Sequence, residues 1–202
     1  MFGMINVRKY SELGFSKPEK YLKSEGFRPI GSGSLARVYH KCETDYVVKL
    51  TFNQDDGYLA YAQLSFEMEG NPYFPKVHDI QFLDTEQIAF LLEKLNEVDY
   101  DSVDIYNKSN SIQNCFCYGS HVFPIKQYAV NSITDKQLKE CIELIGTLIL
   151  ELRDTQSAGA DVHSANVMCK GNQVVITDPI YTPDCDNGYR SSYYKSVVTV
   201  NE

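Results

Sequence analysis

Apolar residues recur most regularly at Leu138, Cys141, Ile142, Ile145, Leu148, Ile149 and Leu152. That spacing predicts a buried amphipathic helix of roughly 18 residues. Thr134 and Gln137 stand at capping-box spacing ahead of it, and Ile133 and Leu138 are placed as a hydrophobic staple. Such a stripe is core and carries no chemistry itself.

Upstream the period shortens. Phe27–Ile30, Ala36–His40 and Tyr46–Phe52 are short β-branched and aromatic runs separated by turn residues, the pattern of an antiparallel meander. Ser16-Lys17-Pro18-Glu19 has capping-box spacing with Pro in the first turn, and Gly26 can end the helix expected at 17–25. A helix is expected over Gly57–Glu69, then strands at Val77–Phe82 and Gln87–Leu92. From residue 97 the chain turns acidic, with a helical reading for Glu97–Lys108. Residues 109–131 show no clear period. The first half is thus β-rich with one or two helices.

Near the end of the readable pattern comes Asp161-Val-His163-Ser-Ala-Asn166. Val167–Cys169 and Val174–Thr177 then flank Lys170-Gly-Asn-Gln173, the signature of a tight hairpin, and Asp178 follows. An Asp, an Asn five residues on, a hairpin and a second Asp suit phosphoryl transfer. That chemistry needs a carboxylate beside the acceptor hydroxyl, and an Asn with a second carboxylate to hold divalent metal against phosphates. Taken alone, Asp161 capping a turn and Asp178 opening a surface turn with Pro179 account for the same residues. The amino-terminal half changes the balance. Gly31-Ser32-Gly33 lets backbone amides approach phosphate oxygens, and Val47-Val-Lys49 brings a point charge at the following strand.

In this order the motifs resemble the protein-kinase-like superfamily. Gly31-Ser-Gly33-Ser-Leu-Ala36-Arg-Val38 resembles its glycine-rich loop, with Ala in place of the third Gly, and Lys49 its strand lysine. The resemblance implies that Asp161 is the catalytic base, that His163 steadies the transferred phosphate, and that Asn166 and Asp178 hold magnesium. It implies ATP contacts from Gly31, Ser32, Gly33, Val38, Val47, Lys49 and Met168, with Glu93 and Leu95 at the adenine hinge. Asp56 is favoured over Glu67 as the carboxylate partner of Lys49. The expected fold is α+β, a minimal two-lobed kinase-like arrangement. Residues 1–95 form its antiparallel-sheet lobe, and residues 96–202 a reduced, mainly helical lobe. Lys49 and the Asp/Asn/Asp trio are expected to face one nucleotide-sized gap.

Asp161-Val-His163-Ser-Ala-Asn166-Val-Met168 and Ile176-Thr-Asp178-Pro179 are similar, more specifically, to the early serine/threonine kinases of T-odd phages, over about residues 26–180. That family implies phosphorylation of host proteins, including transcription and RNA-processing machinery, in the host cytoplasm. Two departures stand out. Gly159 occupies the place where eukaryotic kinases carry His before the catalytic Asp, and Asp178-Pro179 replaces Asp-Phe-Gly. Neither the Ala-Pro-Glu segment nor a basic carboxy-terminal region is expected.

Composition narrows the partners. With 43% hydrophobic and 23% charged residues the chain can bury a core. A net charge of −8 argues against a broad nucleic-acid footprint. No apolar run is long enough for a membrane span and no export signal is read, so a cytoplasmic protein without membrane partners is expected. The six cysteines lack paired metal-ligand spacing, so reduced thiols are expected. Tyr189, Ser191, Ser192, Tyr193 and Tyr194 raise self-phosphorylation of the tail, against the plainer reading of an edge strand at Lys195–Val200. Two other functions fit the same motifs: a small-molecule phosphotransferase of the antibiotic-kinase type, and a non-catalytic kinase-like inhibitor that binds a host protein.

Overall fold

The computed structural model describes residues 4–33, 35–52, 56–83, 86–120 and 122–182. The acceptor-rich tail from Tyr189 and the strand expected at Lys195–Val200 lie outside the described residues. The fold is mixed α+β, and the chain clusters into two compact units, Met1–Asp55 with Lys76–Lys94, and Asp56–Pro75 with Leu95–Glu202.

The first unit is built on a five-stranded antiparallel sheet. Its strands are β1 (Arg28–Ser32), β2 (Ala36–His40), β3 (Tyr46–Thr51), β4 (Val77–Phe82) and β5 (Ile88–Glu93), in the order β1-β2-β3-β5-β4. β3 and β5 are buried along their whole length, which their near-continuous apolar sequences require of central strands. One face carries Tyr39, Tyr46, Val48, Leu50, Ala89 and Leu91. These pack with Val7, Tyr10, Tyr21, Leu22 and Phe27 from the segment before the sheet. That segment consists of a 3-10 turn at Val7–Tyr10 and helix α1 (Pro18–Ser24). Gln81 ties it down: its Oε1 accepts from the Val7 N–H at 2.6 Å, and its Nε2 donates to the Ile5 carbonyl at 3.1 Å.

Gly26 ends α1 as the sequence suggests, at φ +90°. The capping box does not form. Lys17 is the N-cap and offers no side-chain bond, while the Ser16 hydroxyl accepts from Lys20 Nζ at 3.1 Å.

The second unit is mainly helical. Helix α2 (Asp56–Glu67) buries Tyr58, Leu59, Ala60, Tyr61 and Ala62, and packs against α5 (Lys136–Gln156). Gly57 is needed there: a Cβ at that position would lie 2.7 Å from Thr182 Cγ2. The Tyr61 hydroxyl donates to the Ile176 carbonyl at 2.6 Å, and burial drives its pKa well up. The stripe read from Leu138 to Leu152 is core, as expected, but α5 runs to 21 residues. Its cap is Asp135 rather than Thr134, with Oδ1 accepting from the N–H groups of Gln137 and Leu138, each at 3.1 Å. Asp competes well with Thr at this position because a carboxylate also suits the positive end of the helix dipole.

Helix α3 spans Val103–Cys115, later than the sequence pattern suggests, because the acidic run before it folds as strand β6 (Asn96–Glu97) and a turn. A short helix, α4 (Gln127–Asn131), precedes α5. The remaining strands are β7 (Gly159–Ala160), β8 (Val167–Lys170), β9 (Gln173–Ile176) and β10 (Ile180–Tyr181). They form a sheet in the order β6-β8-β9 and a two-stranded pair of β7 with β10. Among the described residues, Cys42, Cys115, Cys117, Cys141 and Cys169 are free thiols.

Candidate active site

In the first unit, register decides which sequence-predicted residues share a face. Gly31 pairs with Val38, Val38 with Lys49, and Lys49 with Phe90. Directly opposed residues of antiparallel strands point to the same side, so Val38, Lys49 and Phe90 form one row across the sheet. Val47, two positions from Lys49, lies on that side too and opposes Leu92. This is the face opposite the aromatic core of the unit. Lys49 is buried, as are Val47 and Leu92. The Gly31-Ser32-Gly33 run ends β1 and enters the turn to β2, closed by the Gly33 N–H donating to the Ala36 carbonyl at 2.9 Å. A Cβ on Gly33 would meet no atom of the described residues within 4 Å.

Two hinge residues are already engaged. The Glu93 N–H donates to the Lys76 carbonyl at 2.9 Å, the Glu93 carboxylate accepts from the Lys76 N–H at 2.8 Å, and the Lys94 N–H donates to Asp45. Leu95 is half-buried and directly precedes β6. Of the two candidate partners for Lys49, Glu67 is exposed at the last turn of α2, and the side chain of Asp56 lies outside the described residues.

In the second unit, Asp161, His163 and Asn166 come together. Asn166 Nδ2 donates to the Asp161 backbone carbonyl at 2.7 Å and to its carboxylate Oδ2 at 3.2 Å. The five-residue separation produces this by way of a 3-10 turn at Ser164–Asn166 capped by His163, whose Nδ1 accepts from the Ala165 N–H at 3.3 Å. The other ring nitrogen, Nε2, lies 3.7 Å from Asp161 Oδ1. The Asn166 amide nitrogen packs against the same Nε2 at 3.2 Å.

The hairpin β8–β9 turns tightly at Gly171, φ +56°, and returns the chain to the loop it left. The Thr177 N–H donates to the Asn166 carbonyl at 2.9 Å, and the Asp161 N–H to the Pro179 carbonyl at 2.8 Å. Asp178 is thereby bracketed between two residues hydrogen-bonded to the Asp161–Asn166 loop. Its charge is felt by Asp161, whose pKa lies above the ordinary carboxylate value. Burial is the main cause; His163 pulls it back, the Asp178 carboxylate adds to the rise, and the Asn166 hydrogen bond opposes it. Met168 is half-buried on β8, on the side away from Val167 and Cys169.

The donor set suits magnesium chemically. Asn166 directs its amide nitrogen to Asp161, which leaves its oxygen turned away, and Asp178 supplies carboxylate oxygens. Among the described residues no three His, Cys, Asp or Glu side chains form a metal cage. Magnesium is ordinarily held by one or two protein oxygens together with substrate phosphates rather than by a cage of protein ligands.

The sequence profile described as bacteriophage T7 protein kinase 0.7 matches residues 9–192. The chain belongs to that family. Its members' profile therefore takes in the glycine turn, Lys49 and the whole Asp161–Asp178 stretch. No protein of curated function matches the chain. Among solved structures, the kinase PK-1 of Cydia pomonella granulovirus aligns over 82% of this chain and 58% of its own, at 12% identity and a TM-score of 0.38. The chain thus spans little more than half the length of that viral kinase.

Sequence reasoning missed the segment 116–125, which carries no periodic pattern. Tyr118 bridges in parallel to Ala160, and the Gly119 N–H donates to the Ala160 carbonyl at 2.7 Å. This explains Gly159. A Cβ there would stand 3.1 Å from the Gly119 carbonyl oxygen, so the residue that departs from the kinase pattern makes room for a second backbone. The Tyr118 ring meets the His163 ring edge-on, with centroids 6.2 Å apart. The signal available beforehand was the bare Cα at Gly159 beside a loop containing Gly119.

Proposed function

We propose that this phage-family kinase is an ATP-dependent protein serine/threonine kinase acting on host proteins early in infection. The observation that carries the reading is the Asp161–Asn166 constellation. It holds a carboxylate of raised proton affinity in a fixed orientation, two backbone bonds from a second carboxylate.

In this reading Asp161 takes the proton from the acceptor hydroxyl as that oxygen attacks the terminal phosphorus of ATP, the bond from that phosphorus to the bridging oxygen breaks, and ADP leaves with the bridging oxygen. A carboxylate whose pKa lies above its ordinary value is a stronger base when ionised. Asn166 restrains it through Nδ2, and His163 lies beside its other oxygen, where an imidazole N–H can donate to a transferring phosphoryl oxygen. Lys49 contacts the nucleotide phosphates, with Gly31, Ser32 and Gly33 approaching them through backbone, and Val38, Val47 and Met168 contribute apolar contact to adenine. Glu93 and Leu95 contribute hinge backbone groups. Since the Glu93 and Lys94 N–H groups are used within the sheet unit, the donor to adenine is assigned to Leu95. Asp56 is the proposed carboxylate partner of Lys49. Magnesium, held by Asn166 and Asp178, would neutralise charge on the phosphates.

Host transcription or RNA-processing proteins are the proposed acceptors, and the host cytoplasm the proposed workplace; neither nucleic acid nor membrane is proposed as a direct partner. No helix among the described residues is long and apolar enough to cross a membrane.

The test is incubation of the protein with terminally labelled ATP, magnesium and bacterial lysate, beside Asp161→Ala and Lys49→Ala. Label on proteins, recovered as phosphoserine or phosphothreonine and lost in both variants, supports the reading. Label confined to small metabolites, or equal labelling by the variants, overturns it.

A further inference from the structure

The segment between α3 and α4 is keyed to the catalytic loop at one end and to the long helix at the other. Phe116 bridges antiparallel to Ile125, the Cys117 N–H donates to Pro124 at 2.9 Å, and the Lys126 N–H donates to Cys115 at 2.7 Å. At its base, Ile125 fills the space left by a missing side chain, for a Cβ on Gly146 would lie 3.0 Å from Ile125 Cγ2. At its tip, Gly119 and Ser120 exchange backbone bonds with Ala160, the residue before Asp161. Two glycines on separate elements thus admit this segment, and both backbone contacts at the tip fall next to the proposed base.

What this placement achieves is the position of Tyr118. Its backbone is pinned, yet its side chain is 74% exposed. Among the described residues its ring meets the His163 ring. The ring is thus presented to solvent next to His163, whose Nε2 lies 3.7 Å from Asp161 Oδ1.

We infer that Tyr118 is an acceptor-binding residue: its ring forms the wall against which the protein segment bearing the phosphorylated Ser or Thr lies. This rests on the kinase reading above. An acceptor hydroxyl within hydrogen-bond reach of Asp161 would carry its neighbouring residues past His163 and the exposed Tyr118 ring beside it. The acceptor class is an extended polypeptide, with an aliphatic, aromatic or guanidinium side chain adjacent to the hydroxyl residue, since such groups gain most from packing on a ring. The ring rather than the hydroxyl does the binding.

Full-length wild type, Tyr118→Ala, Tyr118→Phe and the control Tyr128→Ala, an exposed tyrosine on α4, are compared for transfer of label from ATP to bacterial lysate protein. Lysate concentration and ATP concentration are varied in turn. Tyr118→Ala is expected to raise the apparent acceptor KM by about 3–10-fold, with the ATP KM within about twofold, and Tyr118→Phe is expected to restore it. Tyr128→Ala should match wild type. An unchanged acceptor KM in Tyr118→Ala overturns the inference. So does an ATP KM that rises in step, which would mean the ring acts on the catalytic loop as a whole, and so does failure of Phe to rescue. Absence of protein labelling by wild type sinks the kinase reading itself, a different result from active wild type with an indifferent Tyr118.

Discussion

Asp161 and Pro179 share a backbone hydrogen bond of 2.8 Å, so the residue proposed to accept a proton and the residue after the second carboxylate are held as one piece. Substituting side chains on this piece should alter chemistry before it alters folding. Asp161→Asn keeps the shape and removes the base. Loss of a general base ordinarily costs about 10²–10⁴-fold in rate, so label transfer should fall in that range while the thermal midpoint stays near wild type. An active Asp161→Asn protein would remove Asp161 from the reaction.

The pH dependence follows from the neighbours of Asp161. Its pKa is raised by burial and by Asp178 and held back by His163. The base works only when ionised, so activity falls as pH drops through that raised pKa. Removing the restraint with His163→Gln should raise the pKa further and move the acid limb of the kcat/KM profile to higher pH. A limb that stays put, or moves to lower pH, would assign that limb to another group.

Gly57 offers a prediction about stability. A Cβ there meets Thr182 Cγ2 at 2.7 Å and Ile180 Cγ2 at 3.2 Å, so Gly57→Ala should cost about 1–3 kcal/mol from overpacking. Thr182→Ser removes the obstructing methyl and keeps the hydroxyl. In that background the helix preference for Ala over Gly, about 1 kcal/mol, should offset much of the cost. Thermal melts of the two singles and the double form a cycle that reads the coupling directly. Additive effects would mean that the two residues do not touch.

Asp135 caps α5 and accepts from the Tyr73 hydroxyl at 2.6 Å. That hydroxyl, with the helix N–H groups, holds the Asp135 pKa below its ordinary value, and burial and the carboxylate hold that of Tyr73 well above its own. Asp135→Ala should cost about 0.5–2 kcal/mol through the lost cap. Because the folded pKa is the lower one, this stabilisation is present above the unfolded value near 3.9 and disappears as pH falls through the folded one. The difference in denaturant midpoint between wild type and Asp135→Ala should therefore shrink in strong acid. A constant difference across pH would exclude the carboxylate charge as its source.

The elements that sequence anticipates are those governed by local rules. The stripe from Leu138 to Leu152 is a period, and the hairpin at Gly171 is a turn signature. The contact of Asn166 with the Asp161 carbonyl follows from a separation of five residues with a single 3-10 turn between them. Where several donors compete, sequence was less decisive: Thr134 and Asp135 are both good caps, and the carboxylate prevailed. The segment 116–125 was illegible because its conformation is set from outside. It is held by Ala160 and by the gap at Gly146, residues distant in sequence, and neither leaves a periodic trace in the segment itself. α3 was displaced for a related reason, since Asn96–Glu97 pair with β8, more than 70 positions later, before the helix can begin.

β1 forms the outer margin of its sheet, exposed along its whole length, and an unpaired margin of this kind invites a neighbouring molecule to add a strand. Here that invitation is withdrawn by the strand's own residues. Pro29 has no N–H to give, the register breaks between Pro29 and Gly31, and the glycine turn follows at once. Restoring a regular strand there, by Pro29→Val with Gly31→Val, should therefore promote self-association through the sheet margin, read as a larger species by size-exclusion chromatography.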